Sequence, residues 1–569
     1  MRSALVTSWR DARTRLAACA LIIILVASIP AANSAPAESP DVSAVAQRAM
    51  VVSESEQATA AGVEILRRGG NAVDAACATA LALGITNPAA SGIGGGGFML
   101  IYMAATKQVY ALDYRERAPL KASPTMFVRD GHPNEALAQN GILAVATPGE
   151  IAGIDAALRR FGVMKFQTVA APAIKLARDG FPASPHLAGE IAHFAPKLAA
   201  DPGLREVFLK PDGTAPKAGD TIVAKNLAVT LESLGNDPAA NFYRGPIAAT
   251  IAAFMTAQGG ILSTTDLAEF RPNWRDPLHR GYESYQVYTM PPPSSGGVLL
   301  EMLGMLEGGE LGALGVDSPP YLARLIEVMR QGFEDRALYG DPSYVNVPLY
   351  KLLSPEHVNE LHERALHRKS PSATPAAHDH GTSNLLVVDN LGNLVALTTT
   401  INTPFGAKVT VPKLGILLND EMDDFAVAQG VENAYRLEGE AANLIAPGKR
   451  PLSSMTPIIV MKDGKPIMTA GGSGGPTILS GVLQVTLNIL DSHLSAARAV
   501  AEPRIHEQAS PDVVIVEQSM PAATQKELAQ MGYKLRVVPN LGAVSAITIE
   551  PGNIRGAYDP RKGGAAAGY

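Results

Sequence analysis

Length and composition place the chain among globular proteins. It has 569 residues, of which 47% are hydrophobic and 18% charged, and its mean hydropathy is +0.09. These values exclude a disordered or fibrous protein and allow one large domain or two ordinary ones. The formal net charge of −6 at pH 7 argues against a nucleic-acid partner.

The amino terminus has the pattern of a secretory signal. Several arginines precede an apolar run from about Leu16 to Ile29, and small residues follow it. Because the run is short for a membrane span and cleavage positions follow, we predict a signal peptide over residues 1–35 and a mature protein in the periplasm or secreted. An uncleaved membrane anchor is the alternative.

Two helices are predicted over residues 56–84, separated by Gly69 and Gly70, since apolar residues recur there at helical spacing. The second contains Cys77, the one cysteine left after removal of the signal, so no intrachain disulfide is possible. Its apolar surroundings favour a buried structural thiol over a reactive one.

A glycine-rich stretch, SGIGGGGFMLIYM, follows these helices. It contains the spacing G-x-G-x-x-G, but the order of helix, loop and strand is the reverse of the order in a dinucleotide-binding fold. We therefore expect close backbone packing at these glycines and no phosphate or other cofactor.

Residues 368–381, RKSPSATPAAHDHG, contain two prolines and no large apolar residue, which predicts an exposed loop. His378 and His380 lie in this loop. Because no further ligands stand at suitable spacing, we expect no metal site.

A β-hairpin is predicted over residues 385–400. If its turn centres on Leu391, Thr382 lies opposite Thr400, with Cβ atoms roughly 5 Å apart. Such a pair stabilises a sheet anywhere, so a structural role is one interpretation. The other is chemical, because a cut between Gly381 and Thr382 would place a free α-amine, with a pKa of about 8, beside the Thr382 hydroxyl. One residue would then supply nucleophile and general base, and the uncut precursor would be inactive.

Further motifs carry a family resemblance. They are HGTSNLLVVDNLGN, TTTINTPFGAKV, GILLNDEMDDFA, PGKRPLSSMTP and TAGGSGGPT, with GGGGFMLIY and ALDYRERAP upstream and DPRKGGAAAGY at the end. In order and spacing the sequence resembles the γ-glutamyltransferases, or γ-glutamyltranspeptidases, which are self-cleaving N-terminal nucleophile hydrolases. The resemblance covers essentially the whole mature chain.

The resemblance implies catalytic roles for four residues and a cleavage position. Thr382 matches the nucleophile, freed by cleavage after Gly381, and Thr400 matches the hydroxyl that supports it. Gly474 and Gly475 match the pair whose backbone N–H groups form the oxyanion hole, and glycine permits the close approach that such a hole requires.

The resemblance also implies a site for the amino-acid head of the substrate. Arg115 matches the arginine that holds the α-carboxylate, helped by Ser453 and Ser454. The positions that receive the α-ammonium group are matched by Asn402, Glu421 and Asp424. A fork-shaped cation beside carboxylates suits a head group that carries both charges.

The implied fold is α+β, a four-layer αββα sandwich. Cleavage would give a large subunit, residues 36–381, and a small subunit, residues 382–569, which share one core and remain together as a heterodimer. The implied donors are glutathione and other γ-glutamyl compounds, and the acceptors are water, amino acids or peptides.

The sequence departs from the family pattern after the nucleophile. Many members have Thr or Ala followed by His, whereas Ser383 and Asn384 stand here. Strand alternation places Asn384 on the face of Thr382, so we expect it to affect the pocket or the rate of self-cleavage. Residues 429–443 match a lid over the site, with Tyr435 at its closing position.

Two alternatives remain open from the sequence. One is an acylase of the same superfamily that cleaves a cephalosporin or glutaryl amide. A substrate without an α-ammonium group would not require Asp424 and Glu421, so their presence favours the γ-glutamyl hypothesis. The other alternative is a periplasmic binding protein without enzymatic activity.

Overall fold

The structure is a computed structural model, and it describes residues 42–308, 311–366, 381–437 and 439–569. The predicted signal peptide lies outside these ranges, as do His378 and His380. All described residues fall within one compact unit.

The strands of the described residues are numbered here in chain order. They are β1 (Ser43–Ala46), β2 (Met50–Ser53), β3 (Gly96–Met103), β4 (Gln108–Asp113), β5 (Val128–Arg129), β6 (His132–Pro133), β7 (Phe181–Pro182), β8 (Thr221–Ile222), β9 (Asn273–Arg275), β10 (Leu278–Tyr282), β11 (Tyr285–Thr289), β12 (Ser383–Val388), β13 (Leu394–Thr400), β14 (Thr410–Val411), β15 (Ile416–Leu417), β16 (Ile458–Lys462), β17 (Lys465–Ser473), β18 (Ile505–His506), β19 (Val514–Glu517), β20 (Leu535–Val538), β21 (Ala543–Glu550), β22 (Asn553–Ala557) and β23 (Ala565–Gly568).

The α-helices are numbered in the same way. They are α1 (Glu56–Arg67), α2 (Ala72–Thr86), α3 (Glu135–Gln139), α4 (Glu150–Phe161), α5 (Phe166–Asp179), α6 (Pro185–Ala200), α7 (Pro202–Phe208), α8 (Lys225–Ser233), α9 (Pro238–Tyr243), α10 (Pro246–Ala257), α11 (Thr264–Glu269), α12 (Gly296–Leu306), α13 (Pro319–Arg336), α14 (Leu349–Leu352), α15 (Pro355–Leu366), α16 (Thr477–Leu490), α17 (Ala496–Ala501) and α18 (Ala522–Gln530). Short 3-10 turns span Ile142–Ala144, Leu311–Leu314, Glu421–Asp424 and Ala441–Asn443.

The two predicted amino-terminal helices are confirmed as α1 and α2. Helix α2 begins with a capping box in which the Asn71 side chain accepts the Asp74 N–H and the Asp74 side chain accepts the Asn71 N–H. All its residues are buried, as expected for a helix enclosed on every side. Cys77 is buried within it and forms no disulfide, as predicted.

Two seven-stranded antiparallel sheets form the centre of the fold. The first has the order β1-β22-β21-β17-β16-β11-β10 and the second the order β23-β2-β12-β13-β3-β4-β9. The hairpin predicted over residues 385–400 is present as β12-β13, and β16-β17 and β21-β22 are further hairpins. Each sheet contains strands from both sides of residue 381, so neither part of the chain has a complete sheet of its own.

Side-chain alternation in β12 defines the layers. Leu385 and Val387 pack in a cluster with apolar residues of α1, α2, α4 and α5. Leu386 and Val388 pack in a second cluster, which includes residues of β16 and β17 and of the outer helices α12, α13 and α16. The order is therefore helices, sheet, sheet, helices, the predicted αββα arrangement. Thr382 precedes β12 and has the parity of Leu386, which directs it toward the facing sheet.

Close backbone packing is confirmed at the glycine-rich stretch. A Cβ atom on Gly95 would lie 1.9 Å from the carbonyl oxygen of Thr400, and one on Gly97 would lie 2.2 Å from that of Thr398. Both contacts are with backbone atoms, which cannot turn away as a side chain can. The glycines thus let β3 lie directly against β13, the strand that ends in Thr400.

Within the described ranges, no helix combines the length and hydropathy needed to cross a membrane.

Substitution of Gly95 by Ala tests this packing. Because the new Cβ would overlap a fixed carbonyl group, Gly95→Ala should lower the free energy of unfolding by about 1–3 kcal/mol or more, as overpacked cores do. The matched control is Gly189→Ala in α6, where a Cβ would meet no atom within 4 Å. The thermal unfolding midpoint should fall in the first variant and stay equal or rise in the second. Equal midpoints for both variants would contradict the packing argument.

Candidate active site

The predicted hydroxyl pair lies at the open end of the β12-β13 hairpin. The register pairs Ser383 with Thr399, so the next pair outward is Thr382 with Thr400, as the turn position predicted. Their two Oγ1 atoms are 2.9 Å apart, and both residues are buried. Either hydroxyl can donate this hydrogen bond.

The junction between Gly381 and Thr382 is held under strain. Thr382 has φ of 99°, outside the regions that a β-branched residue favours, and such a conformation costs about 1–3 kcal/mol. Its N–H donates to the carbonyl oxygen of Ala90 at 3.0 Å, and Lys562 Nζ donates to its carbonyl oxygen at 3.4 Å. A Cβ on Gly381 would lie 2.2 Å from the Asn402 carbonyl oxygen. Tertiary contacts on both sides therefore hold Thr382 in this strained conformation.

Arg115 is the centre of a buried ion cluster. It follows β4, is 1% exposed, and its guanidinium donates to Glu421 and to Asp424. Glu116 Oε2 is 3.7 Å from Arg115 Nη1. Glu421 and Asp424 are the first and last residues of a 3-10 turn, in which side chains three residues apart lie on one side, so both reach the same arginine.

Burial sets the protonation of this cluster. It raises the pKa of Glu116 to about 7 and that of Glu421 well above its usual range, against the opposing effect of Arg115 in both cases. Burial alone would lower the pKa of Arg115, but Glu421 and Asp424 more than offset it and the pKa is raised. Arg115 thus stays cationic, while burial favours the neutral form of the Glu116 and Glu421 carboxyl groups against the attraction of Arg115.

The residues predicted to hold opposite charges of a substrate contact one another in the structure. A head group with both charges can enter by exchange, in which its carboxylate replaces Asp424 on Arg115 and its ammonium then meets the released Asp424. Asp424 is better placed for this than Glu421, since its side chain is 12% exposed and that of Glu421 is fully buried. The exchange keeps every buried charge paired.

Tyr435 covers the site from above Asn402. The Tyr435 hydroxyl donates to Asn402 Oδ1 at 2.5 Å, and its ring packs so closely on Gly475 that a Cβ there would lie 2.7 Å from the ring. The Asn402 N–H donates to Thr400 Oγ1 at 2.9 Å. One chain of contacts therefore links the covering tyrosine to the hydroxyl pair.

Ser453 and Ser454 are buried on the other side of the cluster. The Met455 N–H donates to Ser453 Oγ at 3.2 Å, and Arg336 Nη2 donates to Ser454 Oγ at 3.1 Å. Each hydroxyl oxygen is an acceptor in these bonds, so each keeps its own O–H for a further acceptor.

These groups surround one small cavity. Its lining comprises Arg115, Thr382, Thr400, Asn402, Glu421, Asp424, Tyr435, Leu437, Ser453, Ser454, Met455, Gly475 and Ile478. Its volume of about 20 Å³ suits a single water molecule. A cavity of this volume admits an amino-acid head group only if its lining moves.

Of the predicted oxyanion pair, Gly475 lines the cavity and Gly474 does not. Both have positive φ, 124° at Gly474 and 59° at Gly475, so the turn requires glycine at this point. The Thr477 hydroxyl donates to the Gly474 carbonyl oxygen at 2.7 Å and fixes the turn where α16 begins.

Asn384 lies behind the cavity and not in its wall. It is fully buried between the sheets, where the Thr398 hydroxyl is 3.4 Å from its Oδ1 and its N–H donates to Glu54 Oε1 at 3.3 Å. Ser473 Oγ donates to the same Glu54 oxygen at 2.6 Å. The predicted face is correct, but an effect of Asn384 on the pocket would have to act through this polar cluster.

Several residues around the site were not predicted from the sequence. Glu116 stands beside Arg115, and its position alone could have indicated a second carboxylate. Arg336 ends a helix far from every motif, and no local signal marks it. Leu437, Met455 and Ile478 are ordinary apolar residues whose role in the lining appears only when the chain is folded.

The fold and the site define an N-terminal nucleophile hydrolase. A cephalosporin acylase from Bacillus halodurans superposes with a TM-score of 0.83 at 28% identity, covering 94% of this chain and 98% of that one. The γ-glutamyltranspeptidase of Helicobacter pylori superposes with a TM-score of 0.53 at 35% identity, covering 56% of this chain and 91% of the other.

Sequence comparison is more specific. The model of the family Gamma-glutamyltranspeptidase matches residues 58–569. The glutathione hydrolase proenzyme of Escherichia coli (strain K12) is 39% identical over 527 residues, which cover 91% of each chain. The chain belongs to the γ-glutamyltranspeptidase family and is an enzyme of that class. The predictions of family, fold and enzyme class are confirmed.

Proposed function

We propose that the chain is a self-cleaving γ-glutamyltransferase. It takes the γ-glutamyl group from glutathione and related donors and passes it to water, to an amino acid or to a peptide. The observation that carries the proposal is the single cavity in which the Thr382 hydroxyl, 2.9 Å from that of Thr400, lies with a buried arginine and two carboxylates.

Self-cleavage begins with attack of Thr382 Oγ1 on the carbonyl carbon of Gly381. The peptide bond breaks as the Thr382 nitrogen takes a proton and becomes an amine, and an ester joins the two parts. Water then hydrolyses the ester and restores the hydroxyl. The strained φ of Thr382 supports this step, because breaking the bond frees the residue from that conformation.

The products would be a large subunit, residues 36–381 after loss of a signal peptide over residues 1–35, and a small subunit, residues 382–569. Both sheets contain strands from each part, which supports a stable heterodimer. The signal-like amino-terminal sequence supports a periplasmic or secreted location, and the similarity to bacterial relatives is consistent with it.

Transfer uses the new amine of Thr382 as the base. The amine takes the proton from the Thr382 hydroxyl, and Thr382 Oγ1 attacks the γ-carbonyl carbon. During this step the Thr400 hydroxyl donates a hydrogen bond to Thr382 Oγ1. Backbone N–H groups of Gly474 and Gly475 donate hydrogen bonds to the carbonyl oxygen and stabilise the negative charge that develops on it. The ammonium of Thr382 returns its proton to the leaving amine, and the acceptor then attacks the γ-glutamyl ester in the same way.

Head-group recognition selects the donor. The α-carboxylate binds Arg115 and the hydroxyls of Ser453 and Ser454, and the α-ammonium binds Asn402, Glu421 and Asp424. Tyr435 closes over the bound group and excludes water.

A second candidate is an acylase, since one structural neighbour is a cephalosporin acylase. A glutaryl or similar acyl group carries no ammonium, and it would leave Asp424 displaced from Arg115 without a cation. The carboxylates in the cavity wall therefore favour a γ-glutamyl donor. A role in binding without catalysis does not fit a member of this enzyme family.

Processing is tested by mass spectrometry of the purified protein and amino-terminal sequencing of its fragments. We expect two fragments, of which the smaller begins at Thr382. Thr382→Ala lacks the attacking oxygen and should stay uncut, whereas the matched control Thr382→Ser keeps a hydroxyl and should be cut at the same bond. A new terminus at any other residue, or cleavage of Thr382→Ala, would count against the proposal.

Donor selection is tested by competition against γ-glutamyl-p-nitroanilide. L-Glutamate should inhibit at least about 30-fold better than glutarate, because glutarate lacks the ammonium and a lost buried charge contact costs about 2–5 kcal/mol. Asp424→Asn should reduce this preference, because it should weaken inhibition by glutamate and leave inhibition by glutarate unchanged. Equal inhibition by both compounds in the wild type would favour the acylase.

A further inference from the structure

Arg336, the last residue of α13, is connected to both serines of the site. Its Nη2 donates to Ser454 Oγ at 3.1 Å, and its Nε donates to Ser295 Oγ at 3.0 Å. Ser295, which precedes α12, donates from its own Oγ to the Ser453 carbonyl oxygen at 2.7 Å and from its N–H to the same oxygen at 2.8 Å. One guanidinium thus fixes the side chain of Ser454 directly and the backbone of Ser453 through Ser295.

This arrangement determines which way the Ser454 hydroxyl can point. Its oxygen accepts from a cationic N–H, so its hydrogen is available to donate elsewhere. A hydroxyl that accepts from a cation is also a stronger donor, since hydrogen bonds in a chain polarise one another. Ser454 lines the catalytic cavity, where an acceptor for this hydrogen would lie.

Several hydrogen-bond donors of Arg115 are already used by protein groups. Its Nε donates to the Pro451 carbonyl oxygen at 3.2 Å and its Nη2 to the Leu452 carbonyl oxygen at 3.3 Å. Its Nη1 is held by Glu421, which is fully buried. When a carboxylate replaces Asp424, it gains the Nη2 donor that Asp424 had accepted. Ser453 and Ser454, which line the same cavity, can then donate to its second oxygen.

Arg336 carries a positive charge at this place. Burial lowers its pKa to about 10, with Asp424 opposing and Arg115 adding to the effect, so it remains protonated at neutral pH. It also lines a neighbouring cavity of about 350 Å³ together with Asp424 and Leu452. Two arginines therefore approach the position of the α-carboxylate from different sides.

We propose that Arg336 is a positioning residue for the α-carboxylate, which orients and polarises the hydroxyl of Ser454 and, through Ser295, holds Ser453 in place. The inference rests on the proposed γ-glutamyl function. Its consequence is selective, since Arg336 strengthens binding of the carboxylate and takes no part in the bond-breaking steps at Thr382.

The test compares Arg336→Met with the wild type on two donors. One is γ-glutamyl-p-nitroanilide, and the other is 4-aminobutyryl-p-nitroanilide, which is the same donor without its α-carboxylate. For the first, kcat/KM should fall about 10- to 100-fold, as for loss of hydrogen bonds from a charged group, and the change should lie mainly in KM. For the second, kcat/KM should stay within about twofold of the wild-type value. The inhibition constant of L-glutamate should rise in parallel with KM.

Two further variants separate positioning from a general structural effect. Arg336→Lys should recover only part of the lost affinity, because a single ammonium cannot match the fork that reaches Ser295 and Ser454. The control is Arg364→Met, which removes an exposed arginine that pairs with Glu334 near the end of the same helix at 2.6 Å, and it should behave as wild type. If Arg336→Met fails to self-cleave, Ser295→Ala is measured in its place and should show a smaller rise in KM of the same kind.

The outcomes also separate this inference from the proposed function. A wild type that does not act on γ-glutamyl-p-nitroanilide defeats the function. An active wild type with an unchanged KM in Arg336→Met, or with a fall in kcat alone, defeats the role of Arg336 and leaves the function standing. If both donors are turned over and Arg336→Met lowers kcat/KM equally for both, the role of Arg336 is likewise defeated.

Discussion

Arg115 is 1% exposed, and a guanidinium in so dry a place is stable only where carboxylates and carbonyl oxygens meet it. The acceptors of its guanidinium hydrogen bonds, Glu421, Asp424 and the carbonyl groups of Pro451 and Leu452, follow residue 381 in the chain, whereas Glu116, 3.7 Å away, precedes it. The charge can therefore be buried only when both parts of the chain have folded together. The same requirement explains how a chain cut at this point would retain its site.

The charge cluster and the hydroxyl pair depend on one another through the sheets. Thr400 ends β13, which lies against the glycines of β3, and β3 leads through β4 to Arg115. A displaced β3 would thus move both the arginine and the threonines. This coupling gives the glycine-rich stretch a structural role, since its glycines let the backbones of β3 and β13 lie close together.

Some of this was open to prediction from the sequence because it depends on local rules. Turn length fixes hairpin register, so the pairing of Thr382 with Thr400 followed from the position of Leu391. Strand alternation likewise gave the face of Asn384. Alternation does not show how far a residue lies from the cavity, and for that reason the exclusion of Asn384 from the cavity wall was not predicted. The contacts of Arg115 with Glu421 and of Arg336 with Ser454 join distant segments, and no periodicity in the sequence records them.

We propose that a substrate head group enters by displacing Asp424 from Arg115. A crystal structure of the processed protein with bound L-glutamate can show this exchange. We expect the α-carboxylate to contact Arg115 Nη2 and the hydroxyls of Ser453 and Ser454, and Asp424 to have turned to the α-ammonium group. If the ion pair between Arg115 and Asp424 is intact in that structure and the carboxylate of glutamate is bound elsewhere, the exchange does not occur.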